Sequence, residues 1–380
     1  MSDSVRVARL WDGRRFSRRN VLRSTAFFAI AAHGLAGCGI SEAPREGSGE
    51  QGGRAVNQVD EPGLNFYNWT DYIAPDTISS FQAATGIKVT YDNFSSNDEM
   101  EAKIASGAAG YDLVVPSDNF LHRFLRAGLL RRLDHDLIPN LGNLERRFAE
   151  ADYDPGNRFS VPWAWGTTGL AYSKSALGER IPGFSAFDLA AAQGRSMVLD
   201  EARDGLSIGL LALGHDPNTG DAKQIDDAAK YLLDLKKKLG QISSDVIEPL
   251  TSGQMVLAQA YSGDAFQARK ANANVAYTIP KEGGLSYVDL LCVPKDAPHA
   301  LNAHRFIDHI LRPDVGAALS NAVRYGSPNA AAKTFIDKEL LNDPLVYPPA
   351  DVLARLPFIK DLGREAEARY ADAWTKVKTG

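Results

Sequence analysis

Short polar clusters that contain aspartate follow the predicted strands of this chain of 380 residues. Most of the clusters add an aromatic residue or a second carboxylate, and none of them is net basic. This combination suits an organic ammonium, because a carboxylate offsets its charge and a ring face adds about 0.5–2 kcal/mol of attraction. An anion site would instead require arginines or bare helix N-termini. The clusters are Trp69–Tyr72, Ser117–Asn119, Asp200–Asp204, Ser262–Asp264 and Tyr287–Asp289.

Alternating strand and helix patterns must position these clusters. Residues 64–68 and 87–91 have the alternation of strands, and residues 75–85 between them have helical spacing with a proline near the start. A helix over 97–106 and a buried strand over 112–116 follow. Strands that alternate with helices predict a parallel α/β sheet, in which ligands bind beyond the carboxyl ends of the strands.

The same alternation continues through the second half of the chain. The roughly 318 residues from Pro62 onward exceed what one hydrophobic core comfortably holds, so two lobes are expected. The predicted strands are 169–172, 197–199, 256–261 and 275–279, and the predicted helices are 205–214, 226–238 and 364–378.

The first forty residues predict an export signal rather than part of the fold. Ser17–Arg23 is a twin-arginine signature, an apolar run follows over residues 26–37, and Leu35–Cys38 resembles a bacterial lipobox. The alternatives are a disordered N-terminus with a chance arginine pair, or a membrane helix, for which the apolar run falls short of roughly 20 residues. We expect a signal peptide over 1–37, a lipid on Cys38 and a flexible tether over 38–61, which places the protein in the periplasm or another extracytoplasmic compartment.

The charge and the cysteine content narrow the function classes further. The chain carries 42 Lys+Arg and 47 Asp+Glu; residues 1–37 are at net +5, so the chain from Cys38 onward is at −10. An acidic protein outside the cytoplasm is a poor nucleic-acid binder and a plausible partner of cations. With Cys38 lipidated, Cys292 has no disulfide partner, and its apolar surroundings predict a core residue. No metal site or cofactor is expected, because no Cys/His pair has ligand spacing.

Several ordered motifs resemble those of bacterial polyamine-binding proteins, the extracytoplasmic receptors of spermidine/putrescine ABC importers. The resemblance spans nearly the whole chain after the tether and is closest to the putrescine-type members. It implies an α/β fold of the type II periplasmic binding proteins, with two lobes of mostly parallel sheet flanked by helices and the ligand in the cleft between them. The motifs are 65–73, 111–117, 162–169, 280–284, 311–315 and 325–329.

The resemblance also implies the lobe boundaries and the ligand-binding residues. Lobe 1 would comprise residues 62–168 plus 288–333, and lobe 2 residues 169–287 plus 334–380. Asp289 with Asp264 would hold one ammonium and Asp71 or Asp204 the other, while the aromatics enclose the methylenes. The implied site consists of Trp69, Thr70, Asp71, Tyr72, Ser117, Asp204, Tyr261, Asp264, Tyr287, Asp289 and Tyr325.

Three departures from the family pattern leave the length of the ligand open. Tyr261 replaces a tryptophan, Asp204 replaces a residue that is often glutamate, and Asn119 lies where the spermidine-type members commonly have an aromatic. We expect a monomeric receptor that delivers a polyamine, putrescine or spermidine, to a membrane permease. The alternatives are a polyamine-sensing protein and a binding protein for another small cationic solute.

An enzyme is the third class, and its support is one weak motif. Residues 205–209 fit the G-x-S-x-G pattern of a hydrolase nucleophile elbow. The motif lies several residues beyond its strand and within a helical pattern, so Ser207 is expected on a helix rather than on a strained turn. No enzymatic activity is therefore predicted.

Overall fold

A nine-stranded mixed sheet forms the centre of the protein. The computed structural model describes residues 63–107 and 110–380, so the predicted signal peptide, the lipidation site Cys38 and the tether lie outside the described residues. The strands are β1 (Gly63–Trp69), β2 (Lys88–Phe94), β3 (Leu113–Val114), β4 (Ser160–Ser173), β5 (Ser196–Val198), β6 (Gln241–Ile242), β7 (Leu257–Tyr261), β8 (Val275–Thr278) and β9 (Leu285–Cys292).

Fourteen α-helices of the described residues surround this sheet. Nine of them lie between strands along the chain, as the expected alternation requires, and the other five follow the last strand β9. They are α1 (Thr77–Thr85), α2 (Asn97–Ala105), α3 (Asp118–Arg126), α4 (Arg146–Ala149), α5 (Lys174–Leu177), α6 (Ala202–Ala212), α7 (Ala222–Lys236), α8 (Ile247–Ser252), α9 (Ser262–Ala271), α10 (Ala300–Ile310), α11 (Pro313–Val323), α12 (Lys338–Leu341), α13 (Ala350–Leu353) and α14 (Gly363–Thr379).

The sheet is parallel at its two ends and antiparallel in its middle. Its strand order is β2-β1-β3-β9-β4-β7-β5-β6, and β8 pairs with β4 outside this path. β1 pairs in parallel with β2 and β3, and β5 pairs in parallel with β6 and β7. The long strand β4 pairs in antiparallel fashion with β7, β8 and β9. The parallel units expected from the sequence are thus joined through β4 and β9.

Strands β4 and β9 correct two details of the sequence prediction. Tyr287–Asp289 was expected just after a strand but lies within β9, because pairing with β4 extends that strand past the charged Asp289. The motif 162–169 lies within β4, all of whose residues are buried. The register shifts between Pro162 and Ala164, which fits a proline that has no N–H to donate to the ladder.

The buried side chains form four apolar clusters that divide into two groups. Two clusters draw on residues 64–165 and 288–323, and the other two draw on residues 170–275 and 317–377. Cys292 is fully buried at the end of β9, as predicted for a core residue. Within the described part of the chain, no helix combines the length and apolar character needed to cross a bilayer.

Candidate ligand-binding site

A cavity of about 390 Å³ lies among the loops that follow the parallel strands and the middle of β4 and β9. Ten of the eleven predicted ligand-binding residues line it, although they come from distant parts of the chain. Among the described residues that line it there are six carboxylates and no lysine, arginine or histidine. The ten are Trp69, Thr70, Tyr72, Ser117, Asp204, Tyr261, Asp264, Tyr287, Asp289 and Tyr325.

Asp71 is the predicted residue that does not line the cavity. It is exposed in the turn after β1 and adopts a left-handed conformation with φ 54°. Aspartate tolerates this conformation better than most residues. The turn leaves Thr70 and Tyr72 on the cavity wall and Asp71 outside it.

Asp289 is one of two carboxylates that are held by a pair of hydroxyl groups. The Tyr72 hydroxyl donates to Oδ2 at 2.9 Å, and the Ser117 hydroxyl donates to Oδ1 at 2.7 Å. Asn97 donates in turn to the Ser117 Oγ at 3.2 Å, which fixes the direction of that hydroxyl. Burial raises the pKa of Asp289 to about 6, against the opposing effect of the two hydroxyls. Each carboxylate oxygen keeps a lone pair for a further donor.

Asp204 has a matching environment in the first turn of α6. The Thr168 hydroxyl donates to its Oδ1 at 3.1 Å, and the Tyr261 hydroxyl donates to its Oδ2 at 3.3 Å. Gln259 donates to the Asp204 backbone oxygen at 2.7 Å and fixes the start of the helix against β7. Burial raises the pKa of Asp204 to about 6. The cavity therefore has two carboxylate acceptors in similar environments, Asp289 on β9 and Asp204 on α6.

A row of tyrosine rings connects these two carboxylates. The ring centroids of Tyr72 and Tyr325 are 5.1 Å apart, those of Tyr325 and Tyr287 are 6.4 Å apart, and those of Tyr287 and Tyr261 are 5.1 Å apart. All three pairs are edge-to-face, a favourable arrangement of aromatic rings. The first ring of the row contacts Asp289 and the last contacts Asp204. The row offers apolar surface between two anionic ends.

Two glycines make room for this row. A Cβ at Gly263 would lie 1.8 Å from Cζ of Tyr325, and a Cβ at Gly166 would lie 2.4 Å from the Tyr287 hydroxyl oxygen. Any larger residue at either position would displace a ring. The position of Trp69 is fixed differently, since its indole N–H donates to the backbone oxygen of Val115 at 2.9 Å.

Three further carboxylates on the wall were not among the predicted residues. Asp118 and Glu201 belong to the polar clusters Ser117–Asn119 and Asp200–Asp204, so their position after predicted strands could have identified them. They were not named because the family motifs do not include them. Asp245 follows the two-residue strand β6, which no sequence pattern predicted. Desolvation raises the pKa of the predicted Asp264 to about 6, and the nearby Asp245 adds to this shift.

The hydrolase motif forms no nucleophile elbow. Ser207 lies inside α6, as expected, with 3% of its surface exposed. Its hydroxyl donates to the backbone oxygen of Asp204 at 2.6 Å instead of meeting a histidine. Among the described residues there is also no group of three or more His, Cys, Asp or Glu side chains arranged so that they could hold a metal ion. With carboxylates at both ends and aromatic rings between them, the site has the chemistry to bind an elongated cation.

Comparison with known proteins places the chain in a family. Residues 76–348 match the family described as bacterial extracellular solute-binding protein. The chain belongs to this family. The binding protein is 38% identical to the putrescine-binding periplasmic protein PotF of Escherichia coli, over 83% of this chain and 91% of that protein. It is 35% identical to the putrescine-binding periplasmic protein SpuD of Pseudomonas aeruginosa, over 85% of this chain and 93% of that protein.

A solved structure agrees with the fold. The Tp0655 (TpPotD) lipoprotein of Treponema pallidum superimposes with a TM-score of 0.76 at 30% identity, covering 83% of this chain and 98% of its own. The two-lobed periplasmic binding protein fold expected from the sequence is thereby confirmed, as is the resemblance to the polyamine-binding proteins.

Proposed function

We propose that the binding protein captures a polyamine, putrescine or spermidine, outside the cytoplasm and delivers it to an ABC importer. The observation that carries this proposal is the row of tyrosines with a hydroxyl-supported carboxylate at each end. It is supported by the wall's described residues, which carry six carboxylates and no cationic side chain. The names of the relatives, which describe putrescine-binding proteins, point to the same ligand class.

The ligand chemistry follows from the cost of removing ammonium groups from water. Each buried ammonium is unfavourable by several kcal/mol unless a carboxylate meets it. Asp289 and Asp204 accept from their hydroxyl partners and still have lone pairs for the two ends of a diamine, and Asp264 adds a third carboxylate. Since Asp71 lies outside the cavity wall, Asp204 rather than Asp71 takes the second ammonium in this proposal. The tyrosine faces cover the methylenes and add cation–π attraction.

The experiment that tests this function is calorimetric titration of the purified protein with putrescine, cadaverine, spermidine and spermine. At least one amine is expected to bind well below 100 μM. Butanediol, which has the length of putrescine without its charges, is the matched control and is expected not to bind. If no amine binds more tightly than about 100 μM, roughly −5.5 kcal/mol, the polyamine function is wrong.

We further propose that the protein works as a monomer on a lipid anchor, with no enzymatic activity. The twin-arginine signal over 1–37, the lipid on Cys38 and the tether over 38–61 are supported by their order in the sequence and by a similar solved protein that is described as a lipoprotein. Mass spectrometry of protein from the membrane fraction tests the anchor. The N-terminal peptide is expected to begin at Cys38 with an added lipid, and Cys38→Ala is expected to remove both lipid and membrane association.

The proposed lobes are residues 62–168 plus 288–333 and residues 169–287 plus 334–380. The division of the apolar clusters into two groups, one on each side of the middle of β4, supports the boundaries at 168/169 and 287/288, whereas Ala317 and Ala332 of lobe 1 pack into a cluster of the second group. Thr168 ends the first segment on β4, and Val288 resumes it on β9. Small-angle scattering with and without putrescine tests the proposal, since two lobes that close on a ligand give a smaller radius of gyration when loaded.

A further inference from the structure

Asp118 is a buried carboxylate of the cavity to which neither the diamine chemistry above nor the family motif gives a role. It is the first residue of α3, has 1% of its surface exposed and lines the cavity next to Ser117, which holds Asp289. Its Oδ1 accepts the backbone N–H of Asn119 at 3.0 Å. Its Oδ2 is buried and has no hydrogen-bond partner among the described residues. An unpartnered buried carboxylate oxygen is rare and requires an explanation.

The contacts of Asp118 within the fold do not supply that explanation. Asp118 is the acidic residue in the first turn of α3, where its Oδ1 accepts the Asn119 N–H, but this role leaves Oδ2 without a partner among the described residues. The arginines of its own helix are engaged elsewhere: Arg123 pairs with Glu101 and Asp98, and Arg126 pairs with Asp361. The hydroxyl of Tyr153 interacts with Asp118 electrostatically but makes no hydrogen bond with it.

Asp118 interacts electrostatically with the carboxylates at both ends of the site, Asp289 and Asp204. Burial raises its pKa well above the usual range; among the charged groups, Asp289 contributes most to this shift and Asp204 contributes less. Asp118 therefore lies within electrostatic reach of both end carboxylates. The two ammonium groups of a diamine are already met at the ends, so a diamine has no charged group left to offset the burial of Asp118.

We propose, building on the polyamine function above, that Asp118 binds an internal ammonium of the ligand and makes the cavity select a triamine over a diamine. A triamine of the spermidine type carries its internal nitrogen off-centre, closer to one end than to the other. Its secondary ammonium offsets the buried negative charge of the Asp118 carboxylate. The described residues of the wall include six carboxylates and no cationic side chain, so the cavity has carboxylates for the additional charge.

The test compares two ligands of equal length by calorimetric titration of the full chain. Spermidine carries the internal nitrogen, and diaminooctane has a methylene in its place. The unmodified protein is expected to bind spermidine at least about tenfold more tightly than diaminooctane, the scale of a buried charge pair. Asp118→Asn is expected to abolish this preference. Asp76→Asn, which removes the same charge from an exposed position with no side-chain cap bond, is expected to keep it.

The outcomes separate this inference from the proposed function. If the unmodified protein shows no preference for spermidine, or if Asp118→Asn keeps the full preference, the inference is overturned while the polyamine function stands. If the unmodified protein binds neither these amines nor putrescine, the function itself fails. Should Asp118→Asn not fold, Asp118→Ser replaces it, because its hydroxyl can still accept the Asn119 N–H, and the same criteria apply.

Discussion

Replacement of Asp289 by asparagine is expected to weaken putrescine binding at least tenfold while the unliganded protein gains stability at alkaline pH. The pKa of Asp289 is raised from 3.8 to about 6, so the native state holds its proton more tightly than the unfolded chain does. The stabilising effect of this group is therefore fully present below about pH 4 and is lost as the pH rises through about 6. A shift of about two pK units corresponds to about 3 kcal/mol of lost stability at about pH 8.

Asparagine removes this charge penalty but keeps the size of the side chain. The raised pKa already includes the opposing effect of the Tyr72 and Ser117 hydroxyls, and the asparagine amide, like a protonated carboxyl, presents one acceptor and one donor to them. The unliganded Asp289→Asn protein should therefore be about 3 kcal/mol more stable than the unmodified protein at about pH 8. At about pH 4 the two proteins should unfold at nearly the same urea concentration, because Asp289 is then neutral.

Urea unfolding at these two pH values, combined with calorimetric titration at the higher one, measures both effects. Asp76→Asn again serves as the control, since the exposed Asp76 contributes no cap bond and should change neither affinity nor the pH profile. A stability loss of several kcal/mol at about pH 8 would refute the reasoning and mark Asp289 as part of the structural framework. Unchanged putrescine affinity would refute its proposed role in the site.

Three further predictions concern the cavity and its support. Putrescine affinity should be constant between about pH 8 and about pH 9, where the ligand keeps its ammonium protons, and should fall below about pH 6 in calorimetric titration, by up to tenfold per pH unit for each proton taken up, because three cavity aspartates have a pKa of about 6. Gly263→Ala should displace the Tyr325 ring and lower affinity about tenfold, whereas Gly142→Ala, with nothing within 4 Å of the added Cβ, should not. Arg203→Ala should reduce the free energy of unfolding in urea by about 2–4 kcal/mol, because it removes a buried guanidinium that pairs with the partly exposed Glu367 and donates to Asn218, and the exposed Arg146→Ala by less than about 0.5 kcal/mol.

The elements with local signals were predictable from the sequence. The strands near Leu64 and Ile87 alternate, and α1 ends at Gly86, which adopts φ 74°. β4 could not be predicted over its full length, because its Pro-, Gly- and Thr-containing middle resembles a loop. It becomes a strand through pairing with β7, β8 and β9, which are distant in sequence.

The site was predictable in composition but not in geometry. The resemblance named Ser117 and Asp289 separately; only the fold brings them to 2.7 Å across 172 positions of sequence. Asp71 was named as an ammonium-facing carboxylate because of the resemblance to the putrescine-type members, but its positive φ cannot be read from that motif. Asp118 was passed over for the opposite reason, since burial rather than a motif distinguishes it.

The raised pKa values have a consequence for how a receptor of this kind distinguishes its loaded state from its empty one. Asp289 on β9 and Asp204 on α6 lie on elements that pack into different apolar clusters, and each is destabilised as an anion by burial in the unliganded cavity. At neutral pH their ionised forms together oppose the buried arrangement by roughly 6 kcal/mol. A dication that meets both removes this opposition, whereas a monocation removes about half. Because a ligand shifts a conformational equilibrium only by its difference in affinity for the two states, a diamine should close the cavity and a monoamine of the same length should not.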